Sequence, residues 1–472
     1  MDEARFRGLE GADIRVTGDE IAAFATALEG RTVTPSDADY DEARSIWNGM
    51  IDRRPSLIVR CAGTRDVARS LDFARERGLL VSVRGGGHNI AGNAVADGAL
   101  MIDLSGLDAV DVDPVAKTAR VGPGATLGDL DRATAPHGLA TPTGVNSTTG
   151  IAGLTVGGGF GWLTRSFGLT IDNLDAVEIV TPDGRTRRAG ATEEPDLFWA
   201  IRGGGGNFGV VTSFEFRLHD VGPELWCGLV VYALDDARPV LTRYRELVAA
   251  APDEQTVWAV LRQAPPLPFL PPETHGTDVI VLATVCAGDP ERGRVLSEPL
   301  TGFAEPLGVH MGPMPFADFQ TAFDPLLGPG ARNYWRSHDF GALSDQALDI
   351  AIDYARRLPS PQCEVFFAHL GGAMRRIAPA ETAYRDRGVE FVMNVHGRWD
   401  DAADDDACIG WARSLFTDMT PHASGGAYVN FLTGDEGGRV EDAYGGNLGR
   451  LRELKRRYDP SNLLRMNQNI RP

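Results

Sequence analysis

Three consecutive glycines, Gly85-Gly86-Gly87, follow the apolar run Leu79–Val83 and Arg84, and stand directly before His88-Asn89. Glycine is costly inside a helix or strand, so a strand over 79–84 has to end there in a turn. Such a turn lets bare backbone press against a ligand, and successive N–H groups form an anion-binding nest. His88 then delivers a ring nitrogen beside whatever binds. A second tract, Gly150–Gly161, holds six glycines in twelve residues, denser than packing alone requires. Close backbone approach to a pyrophosphate accounts for it better than an unusual structural loop. Strand, triplet, histidine and second tract together point to a large phosphate-bearing cofactor.

At 472 residues the chain exceeds the size at which single cores usually split, so two domains are expected. Its net charge of −19 argues against nucleic acid and against anionic membrane surfaces as partners. No apolar run approaches the ~20 residues of a membrane span, and Met1-Asp2-Glu3-Ala4-Arg5 does not open a signal peptide. Cysteines stand at 61, 227, 286, 363 and 408, odd in number and without a C-x-x-C pair. Neither a metal site nor a disulfide framework is indicated; buried thiols in a reducing, cytoplasmic setting fit best.

Residues 66–78 carry helical periodicity closing on Gly78, with Thr64 as the expected cap, and a further strand is expected near 99–104. A short helix is predicted over 126–137, and a ligand-wrapping loop over 141–168. A hairpin over 175–189 turns at Pro182-Asp183-Gly184, and 210–218 reads as a strand. After Gly222 the pattern changes. Strands at 225–233, 256–262, 278–285, 362–370 and 389–396 alternate with helices near 237–250, 290–298, 344–357 and 403–418. A proline-dense loop, 264–272, interrupts them, and the series reads as a second domain with an antiparallel sheet backed by helices. A strand over 427–432 and a helix over 441–457 close the chain.

Gly204-Gly205-Gly206-Asn207-Phe208-Gly209 spells a dinucleotide fingerprint in the wrong order, with a helix (196–202) before it and a strand after it. It reads as a tight structural turn near the cofactor. Tyr428 and Asn430 share one face of the expected strand, as packing residues or with the phenol as a general base if a cleft lowers its pKa. Glu364 lies in the apolar run before Val365-Phe366-Phe367-Ala368, facing either solvent or a functional cavity, with His369 on the opposite face. For Asn394, His396 and Arg398, alternating along another strand, a solvated face is the simpler account.

These residues resemble the berberine-bridge-enzyme-like branch of the vanillyl-alcohol-oxidase superfamily. The resemblance runs through Arg60-Cys61, Asp66-Val67, the Arg84–His88 turn, Ile102-Asp103-Leu104-Ser105 and the 150–161 tract. It continues through Asp172-Asn173-Leu174, Leu197-Phe198-Trp199-Ala200, Tyr428-Val429-Asn430-Phe431, Tyr458-Asp459-Pro460 and Asn467-Gln468-Asn469. It implies an α+β fold: a two-subdomain PCMH-type FAD-binding domain formed by 1–222 and a C-terminal return over 427–472, with a substrate domain over 223–426. FAD is then expected against Arg84, Gly85, Gly86, Gly87, His88, Asn89 and Gly92 from the first turn, with Thr148, Thr149, Gly150, Gly153, Gly157, Gly159 and Gly161 from the second tract. Asp172, Asn173, Val210, Asn467 and Asn469 complete that set.

The resemblance further implies a covalent bond from His88 to the flavin. Many relatives add a second, cysteinyl link in a G-x-C-x-x-x-G run; here that run is Gly144–Gly150 with Asn146 in the cysteine's place, so a single link is expected. Thr149 falls where relatives gate oxygen, and Tyr428 matches the tyrosine that acts as base or orients substrate, with Glu364 as a second catalytic candidate. The implied activity is oxidation of a small or medium natural product by hydride transfer, with O₂ as acceptor. Pro35–Glu42, Trp47-Asn48-Gly49 and Asp52–Pro55 are similar to the favorskiiase-type flavoenzymes of polyketide biosynthesis, whose flavin N5 carries oxygen. A polyketide monooxygenase is therefore one alternative; a sugar or amine oxidase and a non-catalytic flavin-binding protein are the others. Oligomeric state, homodimer included, stays open.

Overall fold

The glycine triplet ends a strand of a parallel sheet, as its position predicts. The computed structural model describes residues 3–472. Its first sheet orders Arg31–Val33, Leu57–Arg60, Leu100–Asp103 and Val81–Arg84; the last three run parallel and Arg31–Val33 is the antiparallel edge. Leu57, Ile58, Val59, Leu100, Met101 and Ile102 are all inaccessible, as expected of strands covered on both faces. Helix Thr64–Arg77 packs Val67, Leu71 and Ala74 against them and stops at Gly78 in the left-handed region. Thr64 is not the cap: Gly63 holds that position, and the Thr64 hydroxyl donates instead to Glu178 (2.7 Å).

A second, antiparallel sheet orders Thr186–Gly190, Leu174–Val180, Val210–Arg217, Thr118–Val121 and Val110–Asp113. It contains the expected hairpin. The stretch 141–168 departs from an irregular loop, because Ile151–Val156 and Thr164–Phe167 are helical turns. Ile151 and Thr155 bury one side of the first turn, and the Ile151 N–H is tied to the Ala125 carbonyl (3.0 Å). The density of glycine hid that periodicity.

The third sheet has seven antiparallel strands in the order Gly308–Met314, Leu225–Ala233, Asp278–Cys286, Gln255–Gln263, Glu364–His369, Phe391–Trp399 and Arg332–Phe340. Helices Ala237–Ala250, Asp345–Ala355 and Asp405–Met419 pack one face into a core with Val230, Leu282, Phe367, Met393 and Leu415. The other face turns toward the two glycine tracts. Two of these strands lack an apolar alternation. Gly308–Met314 carries Gly312 and Pro313, and Arg332–Phe340 buries Arg336, Ser337, His338 and Asp339. Beyond it, the expected strand at 427–432 is a 3₁₀ turn, Val429–Phe431, and the expected helix 441–457 is broken at Gly445 into Val440–Tyr444 and Leu448–Tyr458. Leu451, Leu454 and Tyr458 join the core containing Leu197–Ile201, which brings the C-terminus back against the second sheet.

Buried polar contacts tie distant segments of the chain together. Lys455, fully buried, donates to Asp459 (2.7 Å) and to the Asn207 and Leu464 carbonyls (2.8 and 2.9 Å), while Asn207 Oδ1 accepts the Ile470 N–H (2.9 Å). The fingerprint-like turn at 204–209 is thus a dock for the C-terminal tail. Trp47 donates to the Leu327 carbonyl (2.8 Å), and Arg165 to those of Gln255 (2.8 Å) and Leu370 (2.5 Å). Gln320 donates to Asp131 of helix Leu127–Thr134 (3.2 Å). All five cysteines are free and buried, and no helix among the described residues is long and apolar enough to cross a membrane.

Burial pushes the Asp131 carboxyl from its usual acidic range up to about 7, with only partial relief from Gln320. A carboxyl whose folded pKa is raised contributes stability at acid pH that disappears as pH climbs through the folded value. Asp131→Asn keeps the shape without the charge. It is expected to unfold at a higher temperature than the parent above pH about 7 and to differ little from it in acid, as read by thermal denaturation across pH.

Candidate functional site

Between the glycine tracts and the inner face of the seven-stranded sheet lies a cavity of about 680 Å³. One wall is the Gly85–Gly87 turn. Arg84 anchors its base by a bidentate grip on the inaccessible Asp103 (Nε–Oδ1 3.1 Å, Nη2–Oδ2 2.8 Å). A Cβ on Gly86 would lie 2.5 Å from the Gly150 Cα and N, and one on Gly150 would strike Gly86 in return. The two tracts therefore touch backbone to backbone, and Gly87 leaves the contact at φ +71°.

His88 emerges from this seam with its ring stacked on Trp47 (centroids 4.8 Å apart). Its Nε2 lies 3.0 Å from the Thr148 hydroxyl, which donates its own proton to Asn146 Oδ1 (2.8 Å). The Asn146 oxygen also takes the Thr148 N–H (3.1 Å), so the carboxamide is fixed. Thr148 can only accept from His88, and the proton belongs on Nε2. Nδ1 keeps its lone pair, approached only by the Thr149 hydroxyl at 3.5 Å. Enclosure, and secondarily the Arg398 guanidinium, hold the imidazole down at about 3, neutral at any physiological pH. The arrangement presents a neutral ring nitrogen nucleophile.

Asn89, Thr149, Gly150, Gly153, Val210 and Asn467 line the same cavity as Gly85–His88, while Val81, Val83, Leu104 and Phe214 form an apolar slot beside them. Asn467 holds a buried side-chain oxygen without a partner in the protein, as a cradle for a ligand rich in N–H and O–H donors would; Asn469 holds another but does not line the cavity. Bare backbone at the seam, a flat apolar slot and an unpaired acceptor suit a dinucleotide with a planar ring system, and FAD fits. Other expected contacts serve the scaffold. Gly92 packs on Ile51, Gly157 on Asn430, and Gly161 donates to the Thr164 hydroxyl (2.9 Å). Asp172 and Asn173 point away from the cavity. Asp172 is gripped by Arg387 (2.6 and 2.8 Å), and Asn173 donates to the Phe167 and Leu169 carbonyls and meets His219 (2.6 Å).

Across the cavity stand Tyr428 and Glu364. The Tyr428 oxygen accepts the Gly159 N–H (3.1 Å) and Asn430 Nδ2 (2.9 Å), so Tyr428 and Asn430 meet although no strand aligns them. Burial pushes the phenol up to about 12 against those two donors, opposite to the lowering a standing base requires. Glu364 faces the cavity and not solvent. Burial opposes its charge, yet Arg262 (2.7 Å) and His396 Nδ1 (3.3 Å) hold it ionised, down at about 2. His369 turns away, bonded to Arg165 (2.9 Å). The solvated face expected for Asn394, His396 and Arg398 is buried, at 1%, 4% and 5% exposure, because the sheet is covered on both sides.

The sequence reading missed Arg262 and the aromatic lining supplied by Trp47, Trp258 and Trp335. Arg262 stands opposite Glu364 in register, but 102 residues separate them. A charged residue inside the apolar strand Gln255–Gln263 was the available signal.

Residues 55–190 match the family described as FAD binding domain, and residues 427–471 the one described as berberine and berberine like. The uncharacterized FAD-linked oxidoreductase YgaK of Bacillus subtilis (strain 168) is 30% identical over 454 residues, covering 95% of this chain and 98% of the relative. The (R)-6-hydroxynicotine oxidase of Paenarthrobacter nicotinovorans is 40% identical over 211 residues, 45% of this chain and 46% of that enzyme. Among solved structures, 6-hydroxy-D-nicotine oxidase from Arthrobacter nicotinovorans superposes with a TM-score of 0.85 at 26% identity, over 94% of this chain and 98% of the other.

Gly86→Ala forces a methyl group to 2.5 Å from the Gly150 backbone. The expected outcome is a loss of about 1–3 kcal/mol in stability by denaturant titration, together with a purified protein carrying far less flavin per chain by absorbance.

Proposed function

The chain belongs to the FAD-linked oxidoreductases of the berberine and berberine-like family, and from that premise we propose that it is an oxidase carrying FAD on a single covalent bond to His88. The observation that carries the reading is His88 itself, a neutral imidazole with a free Nδ1 at the glycine seam, in the same cavity as Tyr428 and Glu364. Asn146 supports the single link. It stands in place of a cysteine and is committed to Thr148, whose hydroxyl sets the His88 tautomer. The proposal divides the chain into flavin-binding segments 1–222 and 427–472 around a substrate segment 223–426, in keeping with the return of the C-terminus to the second sheet.

Bound FAD would supply the hydride-accepting chemistry and the return of electrons to O₂. The protein's part is to bind, orient and move a proton. Arg84 and the glycine seam fix the cradle, and Thr149 lines the space through which O₂ would approach. Tyr428 is a phenol at rest, so it takes part in deprotonation only as a substrate oxygen arrives at Oη. The N–H groups of Gly159 and Asn430 then stabilise the charge that develops there. Glu364, neutralised by Arg262, holds His396 Nδ1 and sets the polarity of the cavity wall. The nicotine-derived amine named for one relative is one candidate substrate type; the N-terminal similarity to polyketide-processing flavoenzymes offers another.

Anaerobic mixing with a true substrate is expected to bleach the flavin, and readmitted O₂ to restore the colour with one peroxide per turnover. ¹⁸O from O₂ appearing in the product and not in peroxide would assign a monooxygenase instead. A flavin that dithionite reduces but no compound in a broad panel does would assign a binding protein. Tyr428→Phe is expected to lower kcat by about 10²–10⁴-fold while flavin content is unchanged, as measured by stopped-flow reduction.

A further inference from the structure

The cavity wall facing the glycine seam is built from aromatic rings. Trp258 stacks on Phe366 (centroids 5.6 Å, interplanar 10°), and Phe431 meets Trp335 edge-on at 5.3 Å. Within this apolar wall four polar side chains have no partner. Both the oxygen and the nitrogen of the Asn394 carboxamide are buried without a hydrogen bond, and so are the indole N–H groups of Trp162, Trp258 and Trp335. Asn394 is 1% exposed, and it alternates with His396 on the sheet face that lines the cavity. Its neighbours in register are Phe366 and Ser337, and those of His396 are Glu364 and Trp335, so Asn394 and Trp335 stand on adjoining strands, with Trp258 on the strand beyond Glu364–His369. Unpaired buried donors and acceptors are costly, and a cluster of them in a binding cavity marks where a ligand completes the bonding.

The balance of these groups describes the ligand. Three indole N–H groups, of Trp162, Trp258 and Trp335, and the Asn394 amide offer donors, with the Asn394 oxygen as one acceptor beside them. Among the described residues Glu364 is the only carboxylate lining the cavity, and Arg262 and His396 already occupy it, so no free anion among them awaits an ammonium group. Leu229, Val260, Val281, Leu267 and Met314 add apolar surface to the lining, on which a flat ring packs better than a hydroxyl-dense sugar. We infer that the site takes a flat, neutral or anionic oxygenated ring system whose adjacent carbonyl and hydroxyl groups pair with Asn394 and the indoles of Trp258 and Trp335. This rests on the proposed oxidase site and names its substrate class. Asn394 is then the specificity-determining residue.

The test is isothermal titration of the flavin-loaded protein with three probes: 2-hydroxy-1,4-naphthoquinone, 2-(aminomethyl)naphthalene and cellobiose. The naphthoquinone is expected to bind most tightly, and Asn394→Leu to weaken it about tenfold or more. Trp335→Phe, which keeps an aromatic ring and removes the N–H, is expected to weaken it several-fold. Without ligand, Asn394→Leu is expected to melt at or above the parent temperature, because it removes an unpaired amide; a purely structural Asn394 would give a lower value. Tighter binding of the amine or of cellobiose, no binding of the naphthoquinone, or equal affinity in parent and both variants would overturn the inference. Failure of the oxidase reading shows separately, as a purified protein without flavin or a flavin that no substrate reduces.

Discussion

The site depends on a place where two stretches of backbone meet with no side chain between them. Gly86 and Gly150 lie so close that a methyl group on either would overlap the other. That contact joins the end of a parallel strand to the start of the helical turn Ile151–Val156, although 64 residues separate them, and it fixes where His88 emerges. Arg84, locked to Asp103, keeps the strand end from shifting. Thr148 and Asn146, in the segment leading into Gly150, decide which nitrogen of His88 holds the proton. One steric requirement thus sets both the shape of the cradle and the chemistry of the residue beside it.

Around that seam the molecule spends much of its buried polarity on joining distant segments. Arg165 caps carbonyls at 251, 255 and 370, and Arg387 grips Asp172. Lys455 satisfies Asp459 and two carbonyls with no solvent contact. Each of these charges is hydrogen-bonded, and Arg387 and Lys455 are also ion-paired, the conditions under which burial is tolerated. Orphaned polar atoms occur in the scaffold too, Arg387 Nε and His369 Nδ1 among them; those on residues that line the cavity are Asn394, Trp162, Trp258 and Trp335 on the substrate side and Asn467 at the tail.

Much of this was legible in the sequence where local chemistry decides the outcome. The Gly85–Gly87 turn, the hairpin at Pro182-Asp183-Gly184 and the wrong-order fingerprint at 204–209 all follow from glycine placement and element order. What escaped was set at long range. The strand Gly308–Met314 lacks alternation because it is a half-exposed edge strand carrying Gly312 and Pro313, and Arg332–Phe340 lacks it because its polar residues are buried against other protein groups. Asn394, His396 and Arg398 look like a solvated stripe until the second layer covers them. Asp172 and Asn173 sit in a recognisable motif, yet their partners, Arg387 and His219, come from distant positions that no local pattern reveals. The raised pKa of Tyr428 likewise depends on burial created by Phe160, Tyr384 and Phe431.

The central claim is that the seam exists to present one nucleophilic nitrogen to the cofactor. Peptide mapping by mass spectrometry, after acid denaturation and proteolysis of the purified yellow protein, tests it most directly. The account predicts that the peptide containing His88 carries the full mass of FAD and that the peptide containing Asn146 is unmodified. Complete release of flavin into the acid supernatant, or attachment at any residue other than His88, would contradict it.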